Sequence, residues 1–453
     1  MKKNSILPVF GLSLVCCWSA LAYTAESSPA TGIGEVIIGR TLEDFFTAAI
    51  NYSPQLKIAE EELNISSARN RAAKGLLLPQ LNVNASRSDN KQQALDQTLR
   101  FDGERYSLQL TQVLFNWEAF LARSQASLIE DQQEARYFAQ LSWLLTDVAE
   151  KYFAALQADD AYESISSELD AISNQLNQIQ SFYDLQLAQI TDLYEAQARL
   201  AAVQSAALEL QSQRALSREA LRSVTGVAVG RLYQLGESAE APTVINNIEY
   251  WVQQARSSNQ MILASRFALE AANKGVSAKR GAYMPQVSFI AQQQDSNLGF
   301  DNVLINQTDS TYFGVNISIP LYAGGRNRAA VSEAVSRYSI AENELRQIQL
   351  DVGENTRRAF LQVKSSELRT QAAERLVEST VLSATAMQQG FDLGTVSSVD
   401  VLNALRDQFS AERDLQQTRY EHIKYYLMLK REVGSLSADD LLEVGNWLVA
   451  PTE

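Results

Sequence analysis

Two periodicities alternate along the chain, and each occurs twice. Phe313, Val315, Ile317, Ile319 and Leu321 alternate with Gly314, Asn316 and Ser318, a period of two that predicts a strand with one apolar and one polar face. Its partner is predicted from 286 to about 293. Earlier in the chain Tyr106, Leu108, Leu110 and Leu114 alternate with Ser107, Gln109 and Thr111, which predicts a strand over 105–115 paired with one over 80–87. A polar segment rich in Asp, Gln and Asn separates these two. After each strand pair the period becomes helical. Tyr162, Ile165, Leu169, Ile172, Leu176, Ile179 and Tyr183 recur at alternating spacings of three and four, a coiled-coil seam, and Leu141, Leu145, Val148, Tyr152 and Ala155 keep the same rhythm upstream. Residues 104 to 225 contain neither glycine nor proline, and no proline lies between Pro320 and Pro451. A helix from 117 to about 180 would be roughly 95 Å long at about 1.5 Å per residue, a rod rather than part of an ordinary globule.

The two halves carry the same marks at a nearly constant offset. Leu78-Pro79-Gln80-Leu81 recurs as Met284-Pro285-Gln286-Val287, and Leu114-Phe115 as Leu321-Tyr322. Ile190-Thr191-Asp192-Leu193 corresponds to Ser398-Val399-Asp400-Val401, and the run 221–226 to 429–434. An internal duplication follows. The first repeat is placed at 23–226: short helix, hairpin 80–115, long helix 117–180, tip turn 181–190 and return helix 191–225. The second spans 248–434: helix, hairpin 286–322, long helix 325–389, tip turn 390–397 and return helix 398–433. Gly230, Gly236 and Pro242 mark 227–247 as a linker, and 435–453 begins with a helix-start pattern at Ser437-Ala438-Asp439-Asp440. At the turns, Gly394 permits a tight reversal and Thr191 or Ser397 can cap the helix that follows. Asp192 and Asp400 then have a structural explanation, because an acid in a first helical turn complements the macrodipole.

Composition removes many alternatives. Lys2 and Lys3 precede an apolar run over 6–18 and Ala20-Leu21-Ala22, the pattern of a signal peptide over 1–22. Cys16 and Cys17 fall inside it, so the mature chain would offer no thiol for a disulfide, zinc or nucleophile. The formal charge of −14 becomes −16 once Lys2 and Lys3 are removed, which opposes binding to nucleic acid. His422, the single histidine, sits in a polar run and is expected on a solvated helix face. Phosphate-loop, dinucleotide and nucleophile-elbow motifs are absent, and neither repeat offers a convergent acid, base and nucleophile. No enzyme activity, cofactor or metal is expected.

Beyond the signal no apolar run is long enough for a membrane-spanning helix, so integral contact with a membrane would have to use strands. Phe313, Val315, Ile317 and Ile319 would then face lipid, and Gly314, Asn316 and Ser318 a lumen. Phe101, Tyr106, Phe115, Trp117, Phe300, Tyr312 and Tyr322 cluster near strand ends, where aromatic girdles sit. A soluble hairpin packed on a core explains the alternation equally well. Four strands cannot close a barrel alone, because their edges would leave backbone groups unpaired in hydrocarbon. Spanning strands therefore require association, and dimers, trimers or larger rings satisfy the strand arithmetic.

These doubled modules, with Phe115-Asn116-Trp117 and Tyr322-Ala323-Gly324-Gly325-Arg326 after the strands and the tip sequences 182–192 and 390–404, resemble the outer membrane efflux protein family, the relatives of TolC. The resemblance covers about 41–436. It implies an α+β membrane protein in which four transmembrane β-strands per chain contribute to a trimeric 12-stranded β-barrel, and long coiled-coil helices form a periplasmic α-barrel. It further implies a homotrimer in the outer membrane lipid of a Gram-negative bacterium, extending into the periplasm. The assembly would be a passive exit duct for drugs, small molecules or secreted proteins, working with a periplasmic adaptor and an inner-membrane pump or ABC transporter of a tripartite efflux or type I secretion system. Linker and C-terminal segments would form a belt around the helices. From periodicity alone, a periplasmic coiled-coil adaptor or structural interaction protein without a barrel stays open.

By the same resemblance, Thr191 and Asp192 match the family's first tip and Asp400 an aspartate that, repeated threefold, rings the pore and binds cations. Phe391 stands where the family pattern has tyrosine, Val396 where it has arginine, and Asn403 replaces a second ring acid. The implied gate, formed by Thr191, Asp192, Phe391, Gly394, Val396, Asp400 and Asn403, is therefore expected to be held by packing more than by ion pairs.

Overall fold

The computed structural model describes residues 38–94, 97–236, 243–297 and 308–451. The expected signal segment and Phe300 lie outside these, as does the side chain of Phe101. Strand β1 (Ile38–Gly39) leads to helix α1 (Leu42–Tyr52), fixed by a capping box in which Thr41 and Asp44 each accept the other's amide. Ser53 caps α2 (Pro54–Gly75), whose first residue is a proline that needs no amide partner there. Strands β2 (Gln80–Ala94) and β3 (Gln97–Asn116) follow, and Asn116 accepts the Ala119 amide to start α3 (Trp117–Asp184). At 68 residues α3 is about 100 Å long. Helix α4 (Ile190–Thr225) returns and is stopped by Gly226 at φ 71°.

The second half repeats these elements. After β4 (Ala228–Val229) and β5 (Gln234–Leu235) come α5 (Ile248–Ser258), α6 (Gln260–Gly281), β6 (Gln286–Asn297), β7 (Thr308–Ser318), α7 (Arg326–Asp392) and α8 (Ser398–Val433), then α9 (Ala438–Asn446) and β8 (Leu448–Val449). Helices α1 and α5 both have 11 residues, α2 and α6 both 22, and α4 and α8 both 36, while the long helices α3 and α7 differ by one residue, 68 against 67. Gly434, at φ 76°, ends α8 as Gly226 ends α4.

All four long strands form one antiparallel sheet in the order β2-β3-β6-β7. Both strands of the first hairpin run through the polar segment that sequence reading placed between them, since a strand needs only backbone pairing and not an apolar face. β7 stops at Ser318, so Ile319 lies just past the strand; Pro320 behind it has no amide to give to a ladder.

Long helices α3 and α7 run the full length of the helical region, and shorter ones complete the layer around them. α3 packs on α2 and α6 in its first half and on α4 and α8 in its second, while α7 packs on α6 and then α8. The layer is therefore four helices wide throughout: α2, α3, α6, α7 near the sheet and α4, α3, α8, α7 away from it. Its buried stripe near the turns is Ile165, Glu168, Ile172, Gln175 and Ile179, with Tyr162, Leu169 and Leu176 only partly covered. That stripe is rotated from the seam expected for a two-helix coil because α3 faces two neighbours at once.

Where α1 and α9 cross the layer, Phe45, Tyr152, Phe153 and Tyr420 stack in a buried cluster with Leu427, Leu441 and Val444. β4 pairs in parallel with β1 and β5 antiparallel with β8, so the linker and C-terminal segments are tied to this same level. His422 is wholly buried here rather than solvated, and its Nδ1 lies 2.8 Å from Ser366 Oγ on α7. The polar run around it misled because Tyr420, His422 and Ile423 occupy an inward stripe while Glu421 and Lys424 flank it.

Candidate functional site

Sheet register sorts the strand side chains into two faces. One carries the cross-strand row Leu81–Leu110–Ala291–Phe313, with Phe289–Val315 and Val287–Ile317 on one side of it and Val83–Leu108 on the other. Val83, Phe313 and Ile317 are 75%, 70% and 62% exposed, so this apolar face has no cover among the described residues. The opposite face carries Asn82–Gln109–Gln292–Tyr312 and Asn84–Ser107–Gln294–Ser310, with Gly314, Asn316 and Ser318 continuing along β7. Tyr312 thus belongs to the polar face and not to an apolar girdle. Its phenol lies over Gly314, where an added Cβ would collide with it.

At the far end of the helices, both reversals use one device. Leu187 donates its amide to Phe182 O and Gln186 to Tyr183 O; Thr395 and Gly394 repeat this onto Gly390 O and Phe391 O. Such a double bond pattern needs a left-handed residue after the helix. Gly394 supplies it at φ 74° in the second turn, and Gln186 does so at φ 62° in the first, the one non-glycine at positive φ among the described residues. The turns are shorter than expected, spanning 185–189 and 393–397, because both helices wind on to Asp184 and Asp392.

Ser397 caps α8: its Oγ accepts the Asp400 amide at 3.2 Å and donates to Asp400 Oδ2 at 2.7 Å. Thr191 does not cap α4. Gln189 is the capping residue and makes no side-chain bond to the helix, while the Thr191 hydroxyl reaches Gln189 Oε1 at 3.4 Å. Asp192 and Asp400 each stand in a first helical turn; Asp400 and Asn403 are exposed on α8.

Phe391 packs against Phe182, with ring centroids 5.7 Å apart, and against the cluster of Ile179, Leu193, Leu402 and Leu405. Asp392 Oδ1 accepts from Gln178 Nε2 on α3 and from Gln388 Nε2, both at 3.2 Å. Val396 fills the space over Gly390, where an added Cβ would strike its methyl group. Among the described residues no ion pair joins the two turns. Phe182, Gln178 and Asp392 were not singled out from sequence. The available signal was the contrast between Phe182 and its counterpart Gly390, which marks one bulky and one vacant position beside the two turns.

Further up, charges bind the hairpins together. Glu168, almost fully buried, accepts from Arg199 of α4 at 3.1 Å and Arg413 of α8 at 2.8 Å. Asp159 takes Arg214 and Arg218, both at 2.7 Å. Tyr420 donates to Asp160 Oδ2 at 2.5 Å beside a cavity of about 640 Å³ that Glu163, Arg413 and Arg419 also line. Burial pushes the Asp160 carboxyl up to about 6 despite the Tyr420 bond, and it pushes the Tyr420 phenol up as well.

The exposed apolar sheet face, the polar face behind it and the long doubled hairpins agree with what known proteins show. The profile of the family described as outer membrane efflux protein matches residues 47–227 and 251–435. The outer membrane protein TolC of Vibrio cholerae is 27% identical over 418 residues, covering 91% of this chain and 94% of that protein. The alkaline protease secretion protein AprF of Pseudomonas aeruginosa is 25% identical over 411 residues, covering 88% of this chain and 85% of AprF. Among solved structures, the outer membrane protein VceC of Vibrio cholerae has the same fold, with a TM-score of 0.74 at 21% identity over 87% of this chain and 96% of VceC. With both halves matched by one family profile, the chain belongs to the outer membrane efflux protein family and is an outer-membrane exit duct.

Proposed function

We propose that three copies of this chain close a single tube, twelve strands around in the outer membrane and twelve helices around in the periplasm. Cargo would enter at the helical turns from an inner-membrane transporter, joined through a periplasmic adaptor. The observation that carries this reading is that the chain's two flanks are open along their whole length. β2 and β7 are the sheet edges, each with one unpaired side. On the same flanks, Leu208 and Leu216 of α4 and Leu361, Leu368 and Leu382 of α7 are each more than half exposed. Monomeric proteins avoid apolar stripes of this length, and hydrocarbon tolerates no open strand edge.

The apolar band itself supports tilted strands. It spans 81–85 on β2 but 313–317 on β7, two rows lower in register, so it slants across the sheet. A horizontal lipid boundary crossing strands inclined by roughly 35–45° leaves such a slant. In this arrangement Phe313, Val315, Ile317 and Ile319 face lipid, and Gly314, Asn316 and Ser318 line the lumen with Asn82 and Gln109. The turns carrying Thr191, Asp192, Phe391, Gly394, Val396, Asp400 and Asn403 close the periplasmic end, and Asp400 contributes one carboxylate per chain to a ring there. Recovery of a heat-modifiable, SDS-resistant oligomer from outer-membrane fractions is the expected result; release of the whole protein into a periplasmic extract would instead make it a soluble coiled-coil partner.

A further inference from the structure

Inside the chain, one repeat already meets the other along a continuous junction. β3 of the first repeat pairs with β6 of the second, and beneath them α3 packs on α6. The two outer flanks carry the counterparts of these elements: β7 and α7 match β3 and α3, and β2 and α2 match β6 and α6. A junction of the same kind is therefore available between two copies of the chain.

Residue correspondence turns that into a register. Pro79 and Pro285 align β2 with β6, and Leu114 and Leu321 align β3 with β7. The hairpins check this alignment independently, because Val83 and Leu108 pair in the first while their counterparts Phe289 and Val315 pair in the second. At the junction inside the chain Gln109 pairs with Gln292 and Ser107 with Gln294. Their counterparts are Asn316 with Ser86, and Gly314 with Ser88. All four stand on the polar face, and the same register sets Ile317 opposite Ala85 on the apolar one, so both faces continue across the seam. A slip of one residue would exchange the faces; a slip of two keeps them and is the competing arrangement.

A pair of glycines supports the same junction from the helices. Gly281 ends α6 directly against the start of α3, where an added Cβ would lie 2.9 Å from both the Glu118 amide nitrogen and Trp117 Cδ1. Gly75 holds the matching place at the end of α2, yet an added Cβ there would meet nothing within 4 Å among the described residues. Neither glycine has a left-handed backbone that would call for one. Glycine destabilises a helix relative to alanine, so its use at Gly75 is explained by another segment that closes on it. We propose that two copies meet as the two repeats do: β7 pairs with β2 of the next copy with Asn316 opposite Ser86, and the first turn of α7, at Arg326 and Asn327, seats on Gly75 of that copy. The proposal rests on the closed-tube reading above and adds the register in which the tube closes.

Cysteine occurs only at 16 and 17, within the expected signal segment, so introduced pairs report without background. Each pair is made in the full-length chain, which is extracted from outer-membrane fractions, oxidised, and run denatured without reductant. Ser86→Cys/Asn316→Cys should join most chains into covalent trimers that reductant releases. Asn84→Cys/Asn316→Cys and Ser88→Cys/Asn316→Cys stand two residues out of register and should cross-link at least about fivefold less, because opposed sheet positions lie about 4.5–5.5 Å apart, within disulfide reach, and diagonal ones about 7–8 Å, beyond it. Bridging through a displaced pair in place of the first overturns the register and leaves a closed tube. Absence of bridging from all three pairs, in samples that remain heat-modifiable oligomers, overturns the seam between β7 and β2. Wild type without any oligomer defeats the closed-tube reading, and this proposal with it. Gly75→Leu should lower the yield of SDS-resistant oligomer at least about fivefold with helicity unchanged; an undiminished yield overturns the seating of α7.

Discussion

The ring of Phe182, at the end of α3, lies 5.7 Å from that of Phe391, at the end of α7, with the two planes inclined by 37°. This contact joins the turn regions of the two repeats where no ion pair does. Such a pair contributes about 0.5–1.5 kcal/mol beyond the area it buries. Phe182→Ala or Phe391→Ala should therefore loosen the closed end. In planar bilayers the expected result is a larger or more frequently open single-channel conductance, with Phe391→Tyr close to wild type. An alanine variant indistinguishable from wild type would remove the pair from the gate.

Gln186 and Gly394 hold equivalent left-handed positions, at φ 62° and 74°. A side chain there costs on the order of 1 kcal/mol. Gln186→Gly should slow amide exchange at 185–189, and Gly394→Ala should accelerate it at 393–397. Opposite signs at the two turns are the signature; equal responses would show that their backbone strain is not what differs.

Asp160 gives the helical region a pH dependence. Burial raises its carboxyl from 3.8 to about 6, so between roughly pH 4 and 6 the folded chain holds a proton that the unfolded chain has released. Stability from this site thus falls as pH rises through that window and is regained on acidification back through it. Asp160→Asn leaves an acceptor for the Tyr420 hydroxyl without the buried charge. It should stabilise the fold at pH 7.5 by an amount on the order of 2 kcal/mol, read as a higher thermal midpoint, and flatten the variation of that midpoint between roughly pH 4 and 7. A variant less stable than wild type at pH 7.5 would mean that the ionised pair stabilises the fold.

Asp400 is the exposed acid in the first turn of α8, and Asn403, which is uncharged, occupies the next outward position on that helix. With one carboxylate per chain, Asp400→Ala should abolish block by multivalent cations and reduce cation selectivity, measured from reversal potentials in asymmetric salt. Unchanged selectivity would place Asp400 outside the pore ring and leave it only its bond with Ser397.

Much of this was readable before any coordinates, for reasons that differ by element. The strand faces follow from a period of two along β6, β7 and most of β3, although the bulge at Leu114 flips the parity of β3 and sets Phe115 opposite Val287, and the rods follow from the absence of glycine and proline in long runs. What escaped the sequence depended on more than two elements meeting. His422 is buried because α7 and α8 close over it, and Glu168 can sit buried within the α3 stripe because Arg199 and Arg413 arrive from two other helices. Thr191 looked like a cap but lies inside α4, two positions past the capping residue Gln189, which makes no side-chain bond to the helix. The Phe182–Phe391 contact joins residues 209 positions apart, beyond the reach of any local pattern.

Closure of the tube by three chains is the central claim, and native mass spectrometry of the detergent-extracted outer-membrane fraction tests it most directly. The expected species is a single oligomer of three times the mature chain mass that dissociates on heating. A species of one, two or four chain masses, stable across detergents, would contradict it.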